Sequence, residues 1–435
     1  MKLRPYQEEA ITFLYERNKA MLLASMGAGK TAIMLHTMQE LLQEGVVERF
    51  LVLAPLRVCN EVWVQERDKW VVPITMDVAT GSSSERLKAL TGNAQVVVMN
   101  YENLQWLSEQ PVFFDGLVCD ELSKLKNPSG KRFKSLMKIL DRFKIRYGMT
   151  GSFTSNGLED VFGQCRVIDQ SLLGRFKNHF LKEYFFLKNR EFFEYEPFPD
   201  ALQKVMARIK PATFVLANQE YKDKLPPLHM VFLDCEMGKE EYLTYNKMKR
   251  DFALQFDTQQ VIAANAGVVT NKLQQGASGF YYPTNDSHKP IWLSKHKFEQ
   301  LDELMDENQH DATLVFYNFE AEKQELLRRY PHAQTLDNNN IIERWNKGEV
   351  EMLIAHPKSA SHGLNLQGYS NKVVYISLPW SMELFEQSVA RVHRGGQKRE
   401  VWCYILRTKN TIDEIMWDSL MGKKAVSEIA IQALK

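Results

Sequence analysis

The hydrophobic residues of the first 155 positions fall into short continuous runs separated by longer amphipathic stretches. The runs lie at Ala20–Ala24, Phe50–Ala54, Gln95–Met99 and Leu117–Cys119, and each is followed by a polar or glycine-containing turn and a helical pattern. Apolar runs of this length are typical of strands buried on both faces, as in a parallel sheet covered by helices. The alternation of strand and helix therefore predicts an α/β unit.

A second alternating pattern begins near residue 295. Its strand candidates are Thr313–Tyr317, Glu351–Ala355, Lys372–Ser377 and Val401–Leu406. The aromatic-rich stretch from 156 to about 220 is predicted to be mostly helical, 238–267 is predicted to be helical again, and Gln274–Pro290 is predicted to be a loop. We therefore predict a first α/β unit at 1–155, a helical insertion at 156–224, and a second α/β unit at 225–435 with an insertion at about 238–290.

Composition excludes several classes of protein. The 435 residues include 55 Lys and Arg against 54 Asp and Glu, which argues against a basic coat protein or a polybasic membrane anchor. The five cysteines form no CxxC pair, the N-terminus is charged, and no apolar run approaches the ~18 residues of a membrane helix. We expect a protein that is neither secreted nor membrane-bound, located in the cytoplasm, or in the nucleus if the source is eukaryotic.

A glycine-containing turn follows the first apolar run. Ser25–Thr31 reads Ser-Met-Gly-Ala-Gly-Lys-Thr and precedes a helical pattern, although Ala24 stands where the strict phosphate-loop motif has its first glycine. Between a strand and a helix, such glycines let backbone N–H groups surround a phosphate, the lysine adds charge, and the final hydroxyl binds Mg²⁺. The sequence therefore predicts an ATP site built from Gly27, Gly29, Lys30 and Thr31, with Thr31 as a metal ligand.

Two adjacent carboxylates, Asp120 and Glu121, follow the run Leu117–Cys119. In ATPases with a phosphate loop, the first acid of such a pair holds Mg²⁺ and the second polarises the attacking water. On its own the pair would fit a helix N-cap equally well. Its position 90 residues after Lys30 favours the catalytic interpretation.

A third candidate is the hydroxyl-rich turn that contains Thr150 and Ser152. At the carboxyl end of a strand, such a turn can sense the state of the γ-phosphate. A plain glycine turn is the alternative.

The order of these motifs resembles that of superfamily 2 helicase-type motors, and in particular the Swi/Snf-type DNA translocases. Leu3–Gln7 is similar to their adenine-reading motif, which implies that Gln7 hydrogen-bonds the base and adds Arg4 to the nucleotide-binding candidates. Pro55–Trp70 resembles a segment with paired tryptophans, and Asn100–Glu102 resembles the Thr-Tyr-Glu turn. The resemblance implies two RecA-like lobes that hydrolyse ATP between them.

The acidic box continues as Leu-Ser-Lys-Leu-Lys-Asn through Asn127, and its Lys-Leu-Lys-Asn tail is similar to the tail of this family. The family's usual box ends in histidine, which in helicases couples hydrolysis to contact with nucleic acid. Ser123 takes its place here and leaves the catalytic acids intact.

The second half carries the closest resemblance. Gln387–Lys398 matches the family's last motif almost residue for residue, and Gly363–Leu366 resembles the preceding one. Arg391 and Arg394 are three positions apart, which predicts one shared helix face. The resemblance implies that both are arginine fingers and that Gly363 and Gln387 also contact the nucleotide.

The resemblance, more than the charge pattern, indicates DNA as the partner. Basic and small polar turns can track a phosphate backbone without reading bases. The candidate contacts are Asn100, Tyr101, Lys126, Thr150, Ser152, Lys358 and Asn365. Duplex DNA is the first expectation and branched or single-stranded DNA the next, with DNA-processing proteins as further partners and a monomer as the default state.

Four alternatives remain open at this stage. They are a strand-separating DNA helicase, an RNA helicase, a binding module that changes shape with the nucleotide but does not move, and the motor subunit of a restriction or defence-related complex. Because the sequence has no nuclease constellation, the nuclease of such a complex would be in a partner. The bare motor resembles a bacterial or phage protein of DNA maintenance more than a nucleosome remodeller.

Overall fold

The computed structural model describes residues 2–24, 27–189, 194–216, 225–256, 259–262, 266–284, 289–308, 311–338, 340–360 and 364–434. The chain divides into two compact units. The first unit comprises Met1–Asp223 together with Lys423–Lys435, and the second comprises Lys224–Gly422.

The first unit is built on a seven-stranded sheet whose neighbouring strands run parallel. Its order is β3-β4-β2-β5-β6-β1-β9, so β5 and β1, which precede the two predicted motifs, flank β6. A hairpin of β7 and β8 lies apart from this sheet. The strands are β1 (Lys19–Ala24), β2 (Phe50–Ala54), β3 (Met76–Ala79), β4 (Val96–Asn100), β5 (Gly116–Asp120), β6 (Ile145–Thr150), β7 (Phe185–Asn189), β8 (Glu194–Pro197) and β9 (Thr213–Leu216).

Helices connect these strands, and short 3₁₀ helices cover Tyr101–Asn103, Leu122–Leu125, Leu140–Arg142 and Lys210–Ala212. The α-helices are α1 (Pro5–Tyr15), α2 (Lys30–Gln43), α3 (Leu56–Glu61), α4 (Trp63–Trp70), α5 (Ser83–Thr91), α6 (Leu104–Leu107), α7 (Lys131–Ile139), α8 (Asp160–Ile168), α9 (Gln170–Leu173), α10 (Lys177–Tyr184) and α11 (Ala201–Ile209).

Both faces of the first sheet are buried, because alternate side chains of one strand enter two different cores. In β1, Met21 and Leu23 join one hydrophobic cluster, whereas Ala20, Leu22 and Ala24 join another. This is why the strand appears in the sequence as an uninterrupted apolar run. The carboxyl ends of parallel strands meet at one edge of a sheet, so the residues after β1, β5 and β6 are brought together.

The second unit contains a parallel six-stranded sheet of order β10-β19-β18-β15-β17-β16 and two small hairpins, β11–β12 and β13–β14. The strands are β10 (Leu228–Cys235), β11 (Ala253–Phe256), β12 (Gln259–Ile262), β13 (Phe280–Tyr281), β14 (Ile291–Trp292), β15 (Thr313–Phe316), β16 (Gln334–Thr335), β17 (Met352–Ala355), β18 (Lys372–Tyr375) and β19 (Val401–Thr408). The helices are α12 (Lys239–Asp251), α13 (Ala266–Ala277), α14 (His296–Glu307), α15 (Glu320–Arg329), α16 (Ile341–Asn346), α17 (Pro357–Ala360), α18 (Met382–Val389) and α19 (Ile412–Leu434).

The predicted fold class is confirmed, since each unit is a parallel sheet flanked by helices. The predicted helical character of 156–220 is wrong in part. The stretch includes the β7–β8 hairpin, and β9 pairs with β1 at the edge of the first sheet. Thr213–Leu216 has only four residues, too few for a periodic pattern to identify.

The second insertion differs in a similar way. A hairpin of β11 and β12 interrupts the predicted helix, and the predicted loop from Gln274 contains the end of α13 and the strand β13. Among the described residues, no helix is both long enough and apolar enough to cross a membrane. The five cysteines are buried and form no disulfide.

Candidate active site

The phosphate-loop motif lies between β1 and α2, as predicted. Ser25 and Met26 lie outside the described residues, while Gly27 and Gly29 have φ of 81° and 79°, a left-handed conformation that favours glycine. Helix α2 begins directly after this turn, at Lys30, and Thr31 lies in its first turn. The Lys30 Nζ donates to the carbonyl of Ala24 at 2.8 Å, so the ammonium group is held at the carboxyl end of β1.

Gln7 connects the predicted adenine motif to this loop. Its Oε1 accepts a hydrogen bond from the backbone N–H of Arg4 at 2.9 Å, and the side chain is buried. A Cβ atom placed on Gly29 would lie 2.3 Å from Nε2 of Gln7, so a side chain at this position would displace the amide. The contact of Gln7 and Arg4 with a base stays a prediction.

The acidic pair lies at the end of β5, and its first member has two aromatic partners. The indole Nε1–H of Trp63 donates to Oδ2 of Asp120 at 3.0 Å, and the hydroxyl of Tyr101 donates to the Asp120 carbonyl at 2.9 Å. Burial raises the pKa of the Asp120 carboxyl, and the nearby Lys30 ammonium and the Trp63 hydrogen bond offset part of this effect. Burial also raises the pKa of Tyr101 well above its ordinary value, so this phenol keeps its proton and donates.

Glu121 adopts a left-handed conformation, with φ of 63° and ψ of 61°. This conformation is uncommon for a residue other than glycine. The hydroxyl of Ser123 donates to Oε1 of Glu121 at 3.3 Å, and Ser123 itself is buried. The residue that replaces the histidine of the usual acidic box therefore contacts the second acid.

The turn after β6 is closed by its own hydroxyl groups. Thr150 is buried, and its Oγ1 donates to the carbonyl of Ser152 at 2.9 Å. The Ser152 hydroxyl lies 3.0 Å from that of Ser427, in the part of α19 that belongs to the first unit. Their contacts with DNA or with a phosphate stay predictions.

Three other candidate DNA contacts of the first unit have partners within the protein. Lys126 forms an ion pair with Asp160 at 3.1 Å, and the side-chain amide of Asn100 donates to Glu102 at 2.9 Å. Tyr101 is 1% exposed, so its ring offers almost no surface to a nucleic acid. Its hydroxyl instead binds the main chain at the end of the strand that carries the acidic pair.

In the second unit, Arg391 and Arg394 converge on one acceptor. The NH1 group of each donates to the carbonyl of Leu364 at 3.2 Å. The prediction that both share a helix face is wrong, because α18 ends at Val389 and the chain turns so that Arg391 O accepts from Leu366 N. The convergence comes from this turn.

The remaining candidates of the second unit divide between buried and exposed positions. Gln387 is buried, and its amide donates to Glu383 at 3.2 Å. Lys358 and Asn365 are exposed, and Gly363 lies outside the described residues. Contact of Lys358 and Asn365 with the phosphate backbone of DNA stays a prediction.

The sequence patterns indicate no contact of Trp63, Ser123 or Tyr101 with the acidic pair, although the structure places all three against it. The paired tryptophans of Pro55–Trp70 were a visible signal, since Trp63 is the first of them. Their spacing could not show which of the two reaches the site.

Comparison with known proteins now identifies the family. Residues 6–284 match the SNF2-related domain and residues 296–396 match the helicase conserved C-terminal domain. The chain is 31% identical to the protein p41 of Acyrthosiphon pisum secondary endosymbiont phage 1, over 99% of this chain and 98% of that protein. It is also similar to the ATP-dependent helicase YqhH of Bacillus subtilis, with 23% identity over 94% of this chain and 76% of that protein.

A longer relative is the human DNA repair and recombination protein RAD54B, with 23% identity over the whole of this chain. The chain spans 55% of the length of RAD54B and nearly all of the phage protein. The family model of the first domain alone covers more than half of the chain. The chain therefore belongs to the SNF2-related family, with a helicase C-terminal domain in its second half.

Proposed function

We propose that this protein is a DNA-dependent ATPase that moves along duplex DNA. The observation that carries the proposal is the meeting, in the first unit, of a left-handed glycine loop, Lys30 and the adjacent acids Asp120 and Glu121. A site of this kind serves phosphoryl transfer, in which positioning and electrostatic stabilisation supply most of the catalysis.

The residues present fit an ATP·Mg²⁺ complex. The left-handed glycines leave positions 27 and 29 of the loop without side chains, and the Asp120 carboxylate and the Thr31 hydroxyl are oxygen donors of the type that Mg²⁺ prefers. Thr31 and Asp120 would hold the ion, which when bound neutralises charge on the β- and γ-phosphates.

The protein's own residues then have separate roles. Lys30 exchanges its contact with the Ala24 carbonyl for the phosphates, whose charge it complements. Glu121 orients the attacking water and accepts its proton, while Ser123 limits the rotation of the Glu121 carboxylate. Arg391 and Arg394 are proposed as arginine fingers, which supply fixed positive charge to the transition state.

Duplex DNA is the proposed track. The family membership supports a motor, and the name of the human relative, a DNA repair and recombination protein, supports DNA. Lys358 and Asn365, which are exposed, are proposed backbone contacts. Binding through phosphates predicts insensitivity to base sequence and a marked loss of affinity with salt.

Two assays on one preparation test the proposal. ATPase rates are measured with duplex DNA, single-stranded DNA and RNA, and movement is measured by displacement of the third strand of a triplex. We expect stimulation by duplex DNA and triplex displacement without efficient unwinding of a long tailed duplex. Unwinding without triplex displacement would favour a strand-separating helicase, stimulation by RNA alone an RNA helicase, and ATP binding without movement a nucleotide-gated module.

A further inference from the structure

Helix α4 carries two tryptophans whose indole groups bind two different carboxylates. Trp63, the first residue of the helix, is fully buried and donates Nε1–H to Oδ2 of Asp120 at 3.0 Å. Trp70, the last residue of the helix, donates Nε1–H to Oε2 of Glu66 at 3.0 Å, within the same helix. The same helix therefore offers one indole that reaches the acidic strand and one that does not.

The hydrogen bond of Trp63 restricts the carboxylate in a way that packing alone cannot. An indole N–H can only donate, so it favours the ionised form of Asp120, which only accepts. A hydrogen bond to an ionised acceptor is shorter and stronger than one between neutral groups. Since the ring of Trp63 is buried in a hydrophobic cluster with residues of β1, β2 and α2, the bond limits the orientations that the carboxylate can adopt.

The main chain at the same position is fixed separately. The Tyr101 hydroxyl donates to the carbonyl of Asp120 at 2.9 Å, and Tyr101 is itself buried. Trp63 thus orients the side chain of Asp120, while Tyr101 orients its peptide group. Partners of metal ligands that act in this way commonly change metal affinity or activity by about 10–100-fold when they are removed.

We propose that Trp63 is a positioning residue for Mg²⁺, which presents the Asp120 carboxylate to the ion in one orientation. The inference rests on the proposed function, in which Asp120 is a ligand of the ATP-bound Mg²⁺. In this role Trp63 is not itself a ligand of the ion and acts through its hydrogen bond to Asp120.

The test measures binding rather than turnover. The affinity for mant-ADP, a fluorescent ADP analogue that is not hydrolysed, is measured in Mg²⁺ and in EDTA. The ratio of the two affinities reports the contribution of the metal. Trp63→Phe removes the N–H but keeps an aromatic ring, and we expect it to lower this ratio by about tenfold or more while leaving affinity in EDTA unchanged.

Trp70→Phe is the matched control, since it removes an indole N–H from the same helix and should leave the ratio unchanged. The second control is the Asp120→Asn background, in which no carboxylate remains to be oriented, so Trp63→Phe should change the ratio less than about twofold. Two results would mean that Trp63 acts through packing alone and would overturn the inference. One is that Trp63→Phe lowers the affinity ratio equally in the parent and in Asp120→Asn. The other is that Trp63→Phe lowers the mant-ADP affinity in EDTA as much as in Mg²⁺.

A second measurement needs no Trp63 variant, so it tests the inference even if Trp63→Phe does not fold. The eight tryptophan indole N–H groups are observed by NMR in protein labelled with ¹⁵N-tryptophan. One resonance should shift on Asp120→Asn, and the same resonance should shift when Mg²⁺ is added to the ADP-bound parent. Absence of any shift on Asp120→Asn would overturn the inference.

If the parent binds mant-ADP equally in Mg²⁺ and EDTA, the proposed function fails at its metal site and the inference fails with it. If only Asp120→Asn lowers the ratio, the proposed site stands and Trp63 has no part in it.

Discussion

Two glycines of the phosphate loop share a backbone conformation but differ in their surroundings. Both Gly27 and Gly29 have φ near 80°, and an alanine in this left-handed region costs about 1–2 kcal/mol. No heavy atom of the described residues would lie within 4 Å of a Cβ on Gly27, whereas Nε2 of Gln7 would lie 2.3 Å from a Cβ on Gly29. Gln7 is buried, and we expect displacement of its amide to cost the hydrogen bond that Oε1 accepts from Arg4, a loss of about 1 kcal/mol.

These differences predict the stability of two alanine variants. Gly27→Ala should lower the free energy of unfolding by about 1–2 kcal/mol. Gly29→Ala should lower it by about 1 kcal/mol more, because it also displaces Gln7. In the double variant Gly29→Ala/Gln7→Ala, the amide that would clash with the new Cβ is absent. The losses in unfolding free energy of the two single variants should therefore add up to about 1 kcal/mol more than the loss measured for the double variant.

Urea unfolding followed by circular dichroism measures these energies, provided that the m-values of the variants agree with that of the parent. Equal losses for Gly27→Ala and Gly29→Ala, or no coupling between Gly29 and Gln7, would refute the reasoning. Either result would mean that Gln7 does not brace the loop. The nucleotide affinity of the same variants shows whether this brace also serves binding.

Four further predictions concern single residues. Lys30→Ala should reduce ATP affinity and turnover together, because it removes the charge that complements the phosphates; parental rates of phosphate release would show that the loop is misassigned. Glu121→Gln should bind ATP but release phosphate at least about 10²-fold more slowly, and normal single-turnover kinetics would exclude Glu121 as the base. Arg391→Ala and Arg394→Ala should each keep most ATP affinity and lower turnover by about 10³-fold; losses below tenfold in both would contradict the finger assignment. Burial raises the pKa of the Glu325 carboxyl, but hydrogen bonds from two arginines and a lysine outweigh it and lower the pKa to about 2. The ionised carboxylate therefore stabilises the second unit above about pH 4.5, and the stability deficit of Glu325→Gln in urea should shrink as the pH falls toward 2.

The central strands could be predicted because both of their faces are buried. Phe50–Ala54 is an uninterrupted apolar run, and the observed β2 has the same limits. The hairpins and edge strands could not be predicted in the same way. Thr213–Leu216 has two half-buried residues and pairs with a single neighbour, so its sequence carries little of the signal that a buried strand carries.

The same distinction holds within the site. The loop and the acidic pair are local motifs, and strand–turn–helix order was enough to place Lys30 and Asp120 at one sheet edge. The residues that hold Asp120 in position are distant in sequence, with Trp63 57 positions away and Tyr101 19 positions away. No spacing rule connects such residues, because their contact depends on tertiary packing: Trp63 begins α4, and Tyr101 follows β4, which β2 separates from β5 in the sheet.

In the second unit, Arg391 and Arg394 lie close together for a reason that differs from the one predicted from their spacing. On a helix face, Arg391 and Arg394 would be neighbours that need not share a partner. In the observed turn, both donate to the carbonyl of Leu364, which has two lone pairs and can accept from both. The shared carbonyl therefore holds the two NH1 groups close together, and the carbonyl of Gln387 also accepts from Nε of Arg391 at 3.0 Å. Each guanidinium group offers N–H donors in a planar fork that suits phosphate. If both arginines serve one phosphate group, as proposed, Arg391→Ala and Arg394→Ala should lower turnover to a similar extent, and a large loss from only one of them would contradict the shared role.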